Sequence, residues 1–103
     1  MEQIERITQM EACLDASEQA IRELSEALSA FEEVQTKYRQ LSDYYGSESW
    51  MQDYADDEAG KLPQDLKRGV LSEDAVYDLI TENRELLVRM LRLVTSALET
   101  DGL

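Results

Sequence analysis

The feature that most constrains the fold is an uninterrupted amphipathic stretch at the start of the chain. Residues 1–45 contain no Gly and no Pro, and their apolar residues recur at spacings of three and four. This period is that of one face of an α-helix, which has 3.6 residues per turn. The sequence therefore predicts one long helix over residues 1–45, with an apolar face made of Ile4, Ile7, Met10, Leu14, Ile21, Leu24, Leu28, Phe31, Val34, Tyr38, Leu41 and Tyr45.

A regular coiled coil is a poorer match to this face than a locally packed helical bundle. Ser17 interrupts one of the two heptad rows, and beyond Phe31 the apolar stripe shifts by a three-residue step to Val34. Such a step changes the winding of a coiled coil locally. We therefore expect a bundle of helices.

A second long helix is predicted over residues 72–100. Ser72 is a good N-cap, the two acidic residues after it favour the positive end of a helix dipole, and Leu71 and Val76 have the spacing of a hydrophobic staple. Asn83 lies in the core row, where it either sets the register through a polar contact or occupies the solvated margin. The core row is Val76, Ile80, Asn83, Leu87, Met90, Val94 and Ala97.

Residues 46–71 are predicted to form an elbow of short helices. Gly46 suits the residue that follows a helix end, and either Ser47 or Ser49 can open the next helix. That helix should hold Trp50, Met51 and Tyr54 and stop near Gly60. Pro63 is well placed to open a further turn, Pro63 to Arg68, that Gly69 would close.

The predicted fold is a single all-α domain, residues 1–103, with its long N-terminal helix antiparallel to its C-terminal helix. About 43 helical residues span about 65 Å, whereas about 28 span about 42 Å. The first helix should therefore project beyond the second and leave an apolar patch that soluble monomers rarely tolerate. We expect homodimerisation, or docking on another protein's helix, through a stripe formed by Ile4, Ile7, Met10 and Leu14.

The charge balance limits the partners. Ten basic and 23 acidic residues give a net charge of −13, so nucleic-acid phosphates and anionic lipids would be repelled. Neither a secretory signal nor a membrane span is recognisable, which predicts a cytoplasmic protein without membrane or direct nucleic-acid binding. A basic protein partner remains possible.

The residue types argue against an enzyme. The chain has no His and only one cysteine, Cys13, which we expect to be a half-buried, unreactive thiol beside the apolar stripe. No nucleophile–base pair is recognisable, so neither catalytic residues nor a cofactor are predicted. The acidic run Asp53, Asp56, Asp57 and Glu58 offers oxygen ligands for Ca²⁺ or Mg²⁺, but it lacks EF-hand spacing and is better interpreted as a solvated face.

The elbow is the candidate site, and its residues can be interpreted either as a surface that binds a partner or as residues that only stabilise the fold. Trp, Tyr and Arg are frequent in binding hot spots. Tyr44, Tyr45 and Trp50 could instead pack against the end of the helical pair. Gly60 and Gly69 could cap helices, and Arg68 could pair with Asp65 or Asp74. The structural reading is favoured because turns and caps explain most of these identities. The candidate residues are Tyr44, Tyr45, Gly46, Trp50, Tyr54, Gly60, Asp65, Lys67, Arg68, Gly69 and Asp74.

Part of this segment resembles a known family. The string Leu66-Lys67-Arg68-Gly69-Val70-Leu71-Ser72-Glu73-Asp74 is the most specific part, supported by Tyr44-Tyr45-Gly46, Trp50 and Asp57-Glu58-Ala59-Gly60-Lys61-Leu62-Pro63. Together they resemble the bacterial proteins known as domain of unknown function 4298. The resemblance covers most of the chain and implies a small helical bacterial protein, and it implies no activity, cofactor or catalytic residue.

Two functions from different classes follow. The first is a non-enzymatic protein–protein interaction module or helical scaffold. The alternative is an acidic mimic of nucleic acid, or an antitoxin-like inhibitor, that occupies a basic site on another protein. The charge is spread over the chain, with −6 in residues 1–45, −3 in residues 46–71 and −4 in residues 72–103. Such a spread is more typical of solubility than of mimicry.

Overall fold

The computed structural model describes residues 2–101, and that part of the chain is all-helical. Helix α1 spans Glu2–Tyr44, α2 spans Glu48–Glu58, a 3₁₀ helix spans Gly69–Leu71, and α3 spans Ala75–Thr100. The predicted all-α class is confirmed. The two long helices have 43 and 26 residues, so the predicted difference in length is also present.

Helix α1 ends where the first glycine of the chain allows it to end. Gly46 has φ +80°, a backbone conformation that L side chains rarely adopt. The backbone N–H of Tyr45 still reaches the carbonyl of Leu41 at 3.0 Å, and that of Ser47 turns back to Tyr44 at 3.0 Å. The predicted end of the helix is therefore found within one residue.

Ser47, and not Ser49, opens α2. The Ser47 hydroxyl accepts a hydrogen bond from the backbone N–H of Trp50 at 3.2 Å, as an N-cap side chain does. The helix closes at Gly60, which has φ +72° and donates its N–H to the carbonyl of Asp57 at 3.0 Å. Both ends of α2 agree with the sequence prediction.

The segment between α2 and the 3₁₀ helix differs from the prediction. Pro63 opens only a turn, in which the N–H of Leu66 bonds to its carbonyl at 3.2 Å. The predicted role of Gly69 as a helix cap is wrong, because Gly69 begins the 3₁₀ helix and its φ is not positive. The turn continues through Gly69 because the N–H of Leu71 bonds to the carbonyl of Arg68.

Helix α3 begins at Ala75, three residues after the predicted Ser72. The Ser72 hydroxyl does accept from the N–H of Ala75 at 3.2 Å, but it caps a turn that also bonds back to Gly69. The carbonyl of Asp74 accepts the helical hydrogen bond from the N–H of Asp78 at 2.8 Å. Ser72 therefore lies outside α3 and stabilises the turn that leads into this helix.

The buried side chains of the described residues are Leu71 and Val76, which are 6% and 3% exposed. These are the two positions of the predicted hydrophobic staple. The 3₁₀ helix packs against both α2 and α3 and carries Leu71 into this small core. The core therefore lies at the elbow.

The chain divides into two compact units between Tyr38 and Arg39. In the first unit all described residues up to Ala30 are exposed, and Phe31, Gln35 and Tyr38 are half-buried. The second unit contains the core and the elbow.

Along α3 the buried Val76 is followed by half-buried Ile80, Asn83 and Met90, at the spacing of the predicted row. The register role of Asn83 and the antiparallel packing of the long helices stay predictions. No helix among the described residues is both long enough and apolar enough to cross a membrane.

Candidate functional site

Three aromatic rings form a cluster at the elbow, here called the aromatic clasp: Tyr45, Trp50 and Tyr54. The ring centroids of Trp50 and Tyr54 are 5.3 Å apart at an interplanar angle of 24°, so these rings are stacked. Tyr45 meets Trp50 edge-on, with centroids 5.3 Å apart and an angle of 70°. Both arrangements are favourable for aromatic quadrupoles, which avoid a perfect face-to-face sandwich.

The polar atoms of the aromatic clasp are bonded within the second unit. The Nε1–H of Trp50 donates to the carbonyl of Val70 at 2.9 Å. The Tyr45 hydroxyl donates to the backbone carbonyl of Glu73 at 3.3 Å. The Tyr54 hydroxyl donates to the side-chain carboxylate of Glu73, also at 3.3 Å. The aromatic clasp therefore ties the end of α1 and helix α2 to the segment that leads into α3.

Tyr44 makes a separate contact across the α1–α2 turn. Its hydroxyl donates to the carboxylate of Asp53 at 2.6 Å. This hydrogen bond, together with partial burial and the negative charge of Asp53, raises the pKa of Tyr44 to about 12. The bond therefore needs the neutral phenol as its donor.

The surroundings of the aromatic clasp are acidic. The negative charges of Glu58 and then Glu73 raise the pKa of Tyr54 above its usual value. Ionisation of this phenol would place a further negative charge near these carboxylates. At neutral pH the clasp thus presents hydroxyl donors to carboxylate and carbonyl acceptors.

Arg68 holds the segment between α2 and the 3₁₀ helix. Its guanidinium forms an ion pair with Asp57 and also donates to the carbonyl of Pro63. A third hydrogen bond joins its Nε–H to the carbonyl of Leu66 at 3.2 Å. The prediction that Arg68 pairs with Asp65 or Asp74 is wrong, because the side chain turns toward the end of α2.

The remaining predicted elbow residues are not gathered into one site. Asp65 and Lys67 are exposed, and among the described residues neither takes part in a side-chain hydrogen bond or ion pair. Asp74 occupies the N-cap position of α3, where its side chain makes no capping bond. The contacts at the elbow are those of a structural clasp, and a binding role for it stays a prediction.

Several residues that bond to the elbow side chains were not among the predicted site residues. Asp53 and Asp57 were considered as parts of an acidic run, and Val70 and Glu73 as parts of the family string, but none of them was predicted to accept a bond from the elbow side chains. Asp53 follows Tyr44 by nine residues across a turn, a spacing without a helical or strand period. The contact between Tyr44 and Asp53 could have been predicted only from the end of α1 at Gly46 and the start of α2 at Ser47, which bring the two residues together across the turn.

The acidic run of α2 is divided among different partners. Asp53 accepts from Tyr44 and Asp57 pairs with Arg68, whereas Asp56 accepts from Gln52 at 3.0 Å. Within residues 2–101 no three His, Cys, Asp or Glu side chains are placed to share a metal ion.

The predicted dimer stripe lies on an exposed part of α1. Ile4, Ile7, Met10 and Leu14 are 65%, 53%, 56% and 50% exposed. The prediction of a half-buried Cys13 is wrong, because this thiol is exposed on the same helix. The apolar exposure continues along the helix; the name α1 stripe is used below for Ile4, Ile7, Met10, Leu14, Ile21, Leu24 and Leu28.

Comparison with known proteins identifies the family. Neither a curated protein nor a solved structure matches the chain. One family model matches residues 7–93, which include α1 from Ile7 onward, the whole elbow and most of α3. The chain therefore belongs to the family described as a domain of unknown function, DUF4298.

Proposed function

We propose that this protein is a non-enzymatic helical scaffold that works as a homodimer and binds other proteins through its helical faces. The observation that carries the proposal is the α1 stripe, whose seven side chains are between 36% and 69% exposed. A soluble monomer rarely leaves so continuous an apolar surface uncovered. A cytoplasmic location belongs to the same proposal.

The size of the stripe supports an interface. Its seven side chains carry on the order of 700 Å² of accessible surface, close to the about 800 Å² that each partner contributes to a standard protein interface. Removing apolar surface from water is the main driving force of such association. The stripe alone thus approaches the area that specific recognition needs.

The elbow contributes rigidity to this scaffold. Its hydrogen bonds join α1, α2 and the start of α3, so the second unit can present a defined surface. No comparable network of long-range side-chain bonds is found among the described residues of the first unit. We expect the first unit to gain order from its partner.

The test is a pair of matched variants compared by analytical ultracentrifugation. Wild-type protein at micromolar concentration should sediment as a dimer. Ile7→Gln/Leu14→Gln should weaken dimerisation at least about tenfold, because two apolar anchors are lost from the interface. Ala12→Gln/Ala16→Gln changes two exposed residues on the opposite face of α1 and should dimerise like the wild type.

A wild-type monomer throughout the micromolar range would refute the homodimer. Equal weakening by both pairs would refute the stripe as its interface. Salt separates this proposal from acidic mimicry: binding to a basic protein should fall steeply as ionic strength rises, whereas an apolar interface responds little. Affinity capture from the native cell, with the Gln pairs as controls, would then identify partners that need the α1 stripe.

A further inference from the structure

Helix α1 combines its exposed stripe with negative charge. Between Glu2 and Leu28 there are seven acidic and two basic residues, which give a local charge of −5. At 100° per residue, Glu11 and Glu18 lie along one edge of the α1 stripe. Both side chains are exposed, and Glu18 also forms an exposed ion pair with Arg22 on the same helix at 3.8 Å.

Helix α3 carries a second exposed stripe with the opposite charge. Seven leucine and valine residues on one side of this helix, each between 41% and 67% exposed, form the α3 stripe: Leu79, Leu86, Leu87, Leu91, Leu93, Val94 and Leu98. Residues 79–98, which span this stripe, contain three Arg and two Glu, a local charge of +1 in a chain of −13. The same helical geometry places Arg84 and Arg89 at the two edges of this stripe and Arg92 on the opposite face.

We propose that the α1 stripe of one protomer docks on the α3 stripe of a second copy of the chain. This inference rests on the homodimer proposed above and names the surfaces that meet in it. Two-fold symmetry makes the contact twice, with each α1 covering the α3 of its partner. The edge that carries Glu11 and Glu18 then faces the edge of the α3 stripe that carries either Arg84 or Arg89, and this charge complementarity favours the pairing.

Area favours this pairing over α1 against α1. The α3 stripe is about as exposed as the α1 stripe, so each exposes on the order of 700 Å². If both stripes of both protomers are covered, about 2,800 Å² are buried in total, within the range of about 2,000 to 5,000 Å² of obligate dimers. Pairing α1 with α1 would bury about half of that and leave the α3 stripe bare. It would also bring together two segments that each carry −5.

A reciprocal charge exchange tests the pairing. Variant one carries Arg84→Glu and Arg89→Glu, and variant two carries Glu11→Lys and Glu18→Lys. Each variant alone places like charges at both contacts, so its dimer dissociation constant should rise at least about tenfold. In a one-to-one mixture, one contact is native and the other has both signs reversed, so a heterodimer of near wild-type affinity should form.

The controls change charge on the far faces of the same helices. Glu5→Lys/Glu23→Lys alters the net charge as variant two does, and Arg92→Glu reverses an arginine away from the α3 stripe. Both should dimerise like the wild type. Far-UV circular dichroism should show unchanged helix content in all variants, because the altered side chains are exposed.

Native mass spectrometry distinguishes the heterodimer from both homodimers by mass. A wild-type dimer that neither variant weakens, or a mixture that fails to form the heterodimer, overturns the α1–α3 pairing and leaves the homodimer standing. A wild-type monomer overturns the homodimer itself.

Discussion

The hydrogen bond from Tyr44 to Asp53 makes the stability of the second unit sensitive to alkaline pH. In the unfolded chain Tyr44 titrates near its usual pKa of 10.0, whereas in the folded chain its pKa is about 12. A raised pKa in the folded state means that folding favours the protonated phenol. The contribution is complete below about pH 10 and is lost as pH rises from about 10 through 12.

Replacing Tyr44 with Phe removes this contribution. At pH 7 we expect Tyr44→Phe to lower the free energy of unfolding by about 1 kcal/mol, since a half-exposed hydrogen bond to a carboxylate is lost. The difference between wild type and variant should shrink toward zero above pH 10. Urea denaturation at several pH values measures it, and a constant difference up to pH 12 would contradict the assignment.

Single residues also show where the sequence was insufficient. Gly46 and Gly60 were predicted at their observed places, because positive φ is a local property. The cap of α2 was predicted only as Ser47 or Ser49, since both residue types suit an N-cap, and the structure selects Ser47. The partner of Arg68 was not, since a long side chain can reach several carboxylates and three-dimensional proximity decides among them. Cys13 is exposed because its neighbours on α1 are not covered either.

At the scale of elements, helix periodicity predicted the existence and type of the two long helices. The start of α3 was predicted three residues too early because Ser72 and Asp74 are both good N-cap residues and the sequence does not choose between them. The 3₁₀ helix was not predicted, since three residues carry no periodicity. This 3₁₀ helix contributes to the core because it carries Leu71 and packs against α2, which precedes it in the chain, and α3, which follows it.

The start of α2 offers a test with an internal control. Ser47→Ala removes the hydroxyl whose oxygen accepts from the backbone N–H of Trp50 and whose O–H donates to the carbonyl of Tyr44 at 2.6 Å. We expect a loss of about 1 kcal/mol in the free energy of unfolding. Ser49→Ala, two residues inside the same helix, should change it by less than about 0.5 kcal/mol. If both substitutions have equal effects in urea denaturation, Ser47 is not the functional cap.

At the scale of the whole molecule, the sequence predicted an excess of apolar surface over what the chain buries. The buried core of the described residues is limited to Leu71 and Val76, smaller than the predicted bundle would have required. A heptad pattern states which face of a helix is apolar and not which helix covers it. Which helix covers the face is determined by association between chains, and the sequence of one chain does not specify it.

Association should make thermal stability depend on concentration. If folding of the first unit is coupled to dimerisation, the unfolding midpoint of the wild type rises as protein concentration increases, because mass action favours the dimer. The midpoint of Ile7→Gln/Leu14→Gln should be lower and respond less. Differential scanning calorimetry over a hundredfold range of concentration measures both, and a wild-type midpoint that does not move would contradict coupled folding.

The stacked position of Trp50 has a spectroscopic consequence. It is the single tryptophan of the chain, and it lies in the second unit with its indole ring against Tyr54 and its N–H bonded to Val70. Fluorescence emission therefore reports on the integrity of the aromatic clasp, whereas far-UV dichroism is dominated by the long helices. Measured together, the two signals distinguish disruption of the aromatic clasp from unfolding of the long helices.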